Sequence, residues 1–206
     1  SGSLSDDLAL HATTPLTIVR KKNGIVQAQG VATYPTGTTW AYTQSANSDH
    51  SDDGLWELTF TAMDASGLTT QEIRSFRIDT TAPVAAWTKP AAGDALAAGP
   101  AALEVRFSEP MNGLAGQLAT SDLVLSGPGL GHATVASAEW LDEHTARFAF
   151  SGDWSVGAVN VMLAAGSLID RAGNPLAAYS SQFRIDASAP ASLDVSADRV
   201  NVGAMV

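Results

Sequence analysis

Apolar and polar residues alternate one by one along several stretches of the chain. In the clearest stretch the apolar members are Trp56, Leu58, Phe60 and Ala62, and the polar members are Glu57, Thr59 and Thr61. The same period recurs at Leu103, Val105 and Phe107, at Phe148 and Phe150, and at Val159, Val161 and Leu163. Side chains of a β-strand point to opposite faces in turn, so a period of two predicts half-buried strands.

A pattern of about twenty residues occurs twice and indicates how the chain is organised. Residues 64–83 read DASGLTTQEIRSFRIDTTAP, and residues 170–190 read DRAGNPLAAYSSQFRIDASAP. Phe76 and Phe183 lie 107 residues apart, a spacing that suits one sandwich domain per repeat. Within each copy D-x-[SA]-G predicts a turn capped by the Asp side chain, FRID predicts a strand, and Ala-Pro ends it.

The remaining signals favour an all-β protein. Asn23-Gly24 between two apolar runs predicts a hairpin, and no segment carries a helical period. We therefore predict two tandem Greek-key β-sandwiches followed by the first strand or strands of a third repeat. The predicted boundaries are 1–82 (with 1–3 a remnant of protein expression), 83–189 and 190–206.

Composition narrows the classes of function. The net charge is −10, from 21 acidic and 11 basic residues, which disfavours nucleic acid and anionic lipid as partners. Cysteine is absent, which fits an exported chain that avoids free thiols. No apolar run reaches the ~20 residues of a membrane span, so no membrane insertion is expected.

Particular motifs resemble bacterial immunoglobulin-like repeats. The predicted second domain is similar to S-layer-type Ig-like domains through VRFSEPM at 105–111 and LIDRAGNPL at 168–176. The first resembles the tandem Ig-like repeats of large surface adhesins through AMDASG at 62–67 and IDTTAP at 78–83. The resemblance implies an Ig-like fold and an extracellular, repeat-built context on the bacterial cell surface. It also implies that Ca²⁺ could stiffen the linkers.

In an Ig-like sandwich the EF loop lies at the end where the chain leaves, and the FG turn lies at the end where it enters. This places several carboxylates near the predicted junction at residues 79–83. The set is Asp49, Asp52, Asp53, Asp79, Glu109 and Asp170. Carboxylates brought together repel unless a cation neutralises them, and Ca²⁺ takes about 6–8 oxygen ligands. We therefore predict one interdomain Ca²⁺, with Asp79 and Asp170 the first choices, then Glu109, Asp52 and Asp53. Asp186 is expected to hold an ion only with an intact third domain.

Other interpretations of these residues stay open. Asp64 and Asp170 suit purely local turn roles, and acidic loops are often simply solvated. The histidines show no zinc spacing and no nucleophile elbow is present, so we expect no enzyme and no catalytic residues. Trp40, Trp87, Trp140 and Trp154 lie near strand ends, where they could either cover the sandwich core or stack on a sugar.

The sequence therefore predicts a structural and adhesive module, a semi-rigid stalk segment in a repeat array of a secreted surface protein. Its expected partners are neighbouring repeats of the same chain, with a host or matrix glycan or protein as a further candidate. One alternative is a module that itself binds a glycan or protein through loops such as 45–54 or 126–132. Another is an accessory domain of a secreted hydrolase.

Overall fold

The computed structural model describes residues 2–3, 15–31, 33–36, 39–113 and 117–188. Fifteen strands are present in these ranges. They are β1 (Gly2–Ser3), β2 (Leu16–Lys22), β3 (Ile25–Val31), β4 (Thr33–Thr36), β5 (Thr39–Ala41), β6 (Gly54–Met63), β7 (Thr69–Ile78), β8 (Ala85–Lys89), β9 (Ala95–Leu96), β10 (Ala102–Phe107), β11 (Leu123–Ser126), β12 (Thr134–Asp142), β13 (Thr145–Ser151), β14 (Gly157–Leu163) and β15 (Tyr179–Ile185). The helical elements of the described ranges are two 3-10 turns, Thr120–Asp122 and Pro128–Leu130.

The chain divides into two compact units. Of the described residues, the first unit takes those up to Pro83 together with Ile169–Pro175. The second takes Val84–Leu168 and those from Leu176 onward. The domain boundaries at 82 and 189 stay predictions, and the predicted third-repeat strands at 190–206 lie outside the described residues.

The first unit carries a four-stranded antiparallel sheet in the order β3-β2-β6-β7 and a three-stranded sheet in the order β1-β5-β4. Asn23 and Gly24 join β2 to β3 with φ values of 49° and 81°, as a tight hairpin requires and as the sequence predicts. The rings of Trp40 on β5 and Phe60 on β6 lie 5.0 Å apart, and Trp40 packs against the buried cluster of the four-stranded sheet. Among the described residues of this unit, the buried core cluster consists of Leu16, Ile18 and Leu58.

The second unit is a β-sandwich with a larger core. One sheet has the order β12-β13-β10-β8, and the other has the order β11-β14-β15-β9, in which β9 runs parallel to β15. The alternating residues of β10, β13, β14 and β15 supply the core between the sheets. They are Leu103, Val105, Phe107, Ala146, Phe148, Val159, Val161, Leu163, Phe183 and Ile185. The predicted all-β class and Ig-like β-sandwich architecture are thus confirmed.

Among the described residues, no helix has the length and apolar character needed to cross a membrane.

Candidate functional site

The acidic loop before β6 is held by its own side chains. Asp49 Oδ1 accepts a hydrogen bond from the Ser51 amide at 3.0 Å, and Asp52 Oδ2 accepts one from the Asn47 amide at 2.9 Å. Hydrogen bonds from the Ser51 side chain and amide lower the pKa of Asp49. Buried Trp56 donates its indole N–H to the Asp52 carbonyl at 2.8 Å, which ties the loop to the core. These carboxylates act as local caps of the loop.

Asp53 reaches beyond its loop to the segment that follows β7. Its Oδ1 accepts hydrogen bonds from the amide and hydroxyl of Thr80, at 2.9 and 2.8 Å. Its Oδ2 accepts a third from the Thr81 hydroxyl at 2.8 Å. His50 lies at the same place, with Nδ1 2.8 Å from Thr80 Oγ1 and 3.8 Å from Asp53 Oδ2. We call this set, Asp53 with Thr80 and Thr81, the linker clamp.

The clamp favours the charged form of Asp53. Partial desolvation acts to raise the pKa of Asp53, but the hydrogen bonds from Thr80 and Thr81 and the nearby His50 outweigh it. The net result is a lowered pKa for the Asp53 carboxyl, because those hydrogen bonds favour its ionised form. Asp53 therefore fixes residues 80 and 81 whenever it is ionised.

The two copies of FRID end in the same local structure. Arg77 Nε lies 3.6 Å from Asp79 Oδ2, and in the second copy Arg184 Nε lies 3.7 Å from Asp186 Oδ2. The carboxylate then accepts a hydrogen bond from the amide two residues on, Thr81 at 3.3 Å after Asp79 and Ser188 at 3.1 Å after Asp186. The repeat thus encodes a strand, an ion pair and a capped exit.

The D-x-[SA]-G turns are also equivalent, as the sequence predicts. Asp64 Oδ1 accepts hydrogen bonds from the Ser66 and Leu68 amides, both at 2.8 Å. Asp170 Oδ1 accepts one from the Asn174 amide at 2.8 Å, and Asp170 Oδ2 accepts one from Asn174 Nδ2 at 2.7 Å. The two turns differ in burial, since Asp170 is only 1% exposed and Asp64 is half-buried.

Two of the predicted metal ligands meet in the first unit. Asn174 Nδ2, besides bonding Asp170, donates to the Asp79 carbonyl at 3.1 Å, which joins the turn to the end of β7. Carboxylate oxygens of Asp79 and Asp170 lie within 4.8 Å of each other. Asp52 and Asp53 are engaged by the protein donors described above, and Glu109 follows β10 in the second unit. Calcium at these residues stays a prediction.

Sequence reasoning missed the partners that these carboxylates have. Thr80, Thr81 and Asn174 supply donors to Asp53 and Asp170, whereas the charge pattern alone drew attention only to the acids. The available signal was the Thr-Thr pair in IDTTAP, whose hydroxyls have the chemistry to satisfy a carboxylate.

The tryptophans mostly pack against core rings. Trp40 contacts Phe60, Trp140 contacts Phe107 at 5.9 Å, and Trp154 contacts Phe150 at 5.1 Å. Trp56 is buried, and Trp87 is the exposed member of the five, at 43%. All five lie in the described residues, and among them Trp87 alone is exposed, so the tryptophans form no exposed cluster there.

One family model matches the sequence. It is described as a bacterial Ig-like domain and spans residues 79–185, which is 107 of the 206 residues. No curated protein matches the sequence.

Solved structures give distant matches. The S-layer protein SbsC is 16% identical with a TM-score of 0.38, over 55% of this chain and only 15% of that one. CopC from Methylosinus trichosporium OB3b is 14% identical with a TM-score of 0.36, over 50% of this chain and 93% of that one. The glucan utilisation protein SGBP-B of Bacteroides ovatus is 10% identical with a TM-score of 0.29, over 89% and 46%.

Proposed function

Because the chain belongs to the bacterial Ig-like domain family, we propose that it is a structural and adhesive module of a secreted bacterial surface protein, working as a semi-rigid stalk segment in a repeat array. Membership of this family suggests a cell-surface structural module and an extracellular location. The stalk role is our extension of that statement, and no catalytic role is part of it.

The observation that carries the proposal is the linker clamp. A stalk is semi-rigid only if the chain leaving each sandwich is held to that sandwich, because a free linker lets the next domain swing. Asp53 holds residues 80 and 81 through three hydrogen bonds, and Pro83, two residues on, limits the backbone further. The FRID repeat supplies a second capped exit at Asp186, which suits a chain built by repetition.

Removing the Asp53 carboxylate tests the linker clamp, on which the stalk proposal rests. In Asp53→Ala we expect the Thr80 amide to exchange with solvent roughly tenfold faster, because its acceptor is gone. Asp49→Ala removes an acid of the same loop that does not touch Thr80, and there the Thr80 rate should stay at the native value. The amide is followed by hydrogen exchange in NMR. Equal Thr80 rates in the native chain and in Asp53→Ala would contradict a clamped exit.

The same amide reports the pH dependence of the clamp. The folded pKa of Asp53 is lowered, so the clamp is complete above the ordinary carboxyl pKa and is lost only as pH falls through the lowered value. The Thr80 amide shift should therefore titrate with a midpoint below the ordinary pKa of an Asp carboxyl. Asp53→Asn should abolish that transition, and a midpoint at or above the ordinary value would overturn the assignment.

Calcium is a second part of the proposal and is supported by the Asp79–Asp170 pair. We expect millimolar Ca²⁺, added to chelated protein, to raise the Tm of the first unit, since a ligand at 100 times its Kd adds about 2.7 kcal/mol. Asp79→Asn should remove that rise. Asp64→Asn, which alters the equivalent turn, should leave it intact. If Ca²⁺ leaves the Tm of the native chain unchanged, the proposed calcium site is wrong.

A further inference from the structure

Strand β7 ends its sheet with a long, regular edge. It pairs with β6 over ten consecutive residues without a register shift, from Met63–Thr69 to Gly54–Ile78. In the part of the chain that the structure describes, no strand pairs with its other side. Most of its residues are exposed, including Ile73 at 52%. An edge of this kind is a template for another strand.

The second copy of the motif shows which groups of β7 face outward. The outer edge of β15 is covered, because Gly93 N–H donates to the Gln182 carbonyl at 2.7 Å and Arg184 N–H to the Asp94 carbonyl at 2.8 Å. Even-numbered residues of β15 thus turn their amides and carbonyls outward. With the repeat offset of 107, the odd-numbered residues of β7 do the same. Gln71, Ile73, Ser75 and Arg77 therefore form its outer row of donors and acceptors.

Several of the usual protections of a sheet edge are missing from this strand, although it carries the charged residues Glu72, Arg74 and Arg77. The sequence TTQEIRSFRI contains no proline and no lysine, and its pairing with β6 contains no bulge. The corresponding strand β15 is instead covered by the short parallel strand β9. The two repeats thus share a strand whose edge is covered in one of them.

We propose that β7 pairs antiparallel with β7 of a second copy of this chain, centred on Ile73. Two symmetric registers use nine of the ten residues. In the first register the symmetry axis passes through Ile73, and residues 69–77 pair with residues 69–77 of the second copy. Glu72 then lies opposite Arg74 of the second copy, and the symmetry repeats this pair. In the second register the axis passes through Arg74, and residues 70–78 pair with residues 70–78 of the second copy. Arg74 then lies opposite Arg74 of the second copy. Opposite charges stabilise cross-strand pairs and like charges destabilise them, so the charges select the first register.

The backbone geometry suits this register. The N–H and C=O of Ile73 point away from β6, so the Ile73 N–H donates to the Ile73 carbonyl of the second copy. The reverse hydrogen bond forms by symmetry. Gln71 and Ser75 exchange bonds in the same way. Directly opposite residues of such a bonded pair have Cα atoms about 5.5 Å apart. Dimerisation would link stalks side by side, but it does not depend on the proposed stalk role.

A cysteine at the centre tests the register directly, since the chain has no cysteine of its own. A Cα separation of about 5.5 Å lies within the disulfide range, so Ile73→Cys should yield mainly covalent dimer under mild oxidation. Leu141→Cys places a thiol on the edge strand β12 with a similar exposure, 49% against 52%, and should remain mainly monomer. Equal crosslinking by the two variants would overturn the proposal.

Charge reversal supplies an independent test by sedimentation velocity over a concentration series. Arg74→Glu should weaken association about tenfold or more, because it sets two like-charged pairs face to face. The double variant E72R/R74E restores both pairs and should restore association. Glu139→Arg reverses an ion-paired charge on β12 and should leave association unchanged. A native chain that stays monomeric, or a double variant that fails to recover, would refute the pairing.

Discussion

Replacing Phe183 with alanine is expected to lower the free energy of unfolding of the second unit by about 3–5 kcal/mol. Phe183 is 2% exposed and belongs to the fourteen-residue buried core, so the cavity it leaves is closed on every side. Its ring lies 6.0 Å from that of Trp154, which also contacts Phe150. The loss of unfolding free energy is measured by hydrogen exchange of the β14 amides at increasing concentrations of denaturant.

The internal repeat supplies a matched control for this prediction. Phe76 occupies the same place in FRID but is half-buried, and it packs against the cluster of three buried residues that the described part of the first unit contains. Phe76→Ala should therefore cost roughly half as much, measured at the β6 amides, because less apolar surface loses its cover. Equal costs at the two positions would show that the motif, and not its burial, sets the stability.

This contrast marks the limit of the sequence pattern. The two-residue alternation predicts β6, β10 and β14 and the inward orientation of Trp56, Val105 and Val161. It does so because a long strand with one buried face alternates clearly between apolar and polar residues. The sequence pattern of FRID is the same in both copies, yet Phe183 and Ile185 are buried whereas Phe76 and Ile78 are only half-buried. Burial depends on how much sheet lies opposite, which a local period does not contain.

Strand β7 shows a second limit. Only its last residues alternate, so the sequence predicted a short strand at FRID, whereas the structure extends it from Thr69 to Ile78. An edge strand with little burial on either face need not alternate, and its pairing with β6 supplies the missing order. The proline-containing loop at 127–131 is a smaller case, since it forms a 3-10 turn that is too short for periodicity to reveal.

The sequence predicts which residues form the candidate site better than it predicts their hydrogen-bond partners. Charge and turn chemistry pointed to Asp53, Asp79 and Asp170, because acids at strand ends and turns are recognisable locally. The bond from Asp53 to Thr80 spans 27 positions, and the bond from Asn174 to Asp79 spans 95. Contacts at such separations follow from the completed fold, so a spacing rule cannot supply them.

Gly152 is the position where a single methyl group should do the most damage outside the aromatic core. Its φ is +89°, and a Cβ built there would lie 2.3 Å from the His132 carbonyl oxygen. The obstructing atom is backbone, so it cannot move aside as a flexible side chain would. We expect Gly152→Ala to cost about 2–4 kcal/mol, from left-handed strain of roughly 1–2 kcal/mol plus overpacking.

Gly93 separates these two contributions. Its φ is +87°, almost that of Gly152, but nothing lies within 4 Å of a Cβ built there. Gly93→Ala should therefore show the conformational cost alone, roughly 1–2 kcal/mol. A urea titration of each variant and of the native chain measures both costs. The difference between the two variants measures how tightly β13 closes on the loop before β12. If Gly152→Ala and Gly93→Ala lower the free energy of unfolding equally, the His132 carbonyl moves away from the new methyl group. The short distance between Gly152 and that carbonyl would then not constrain the fold.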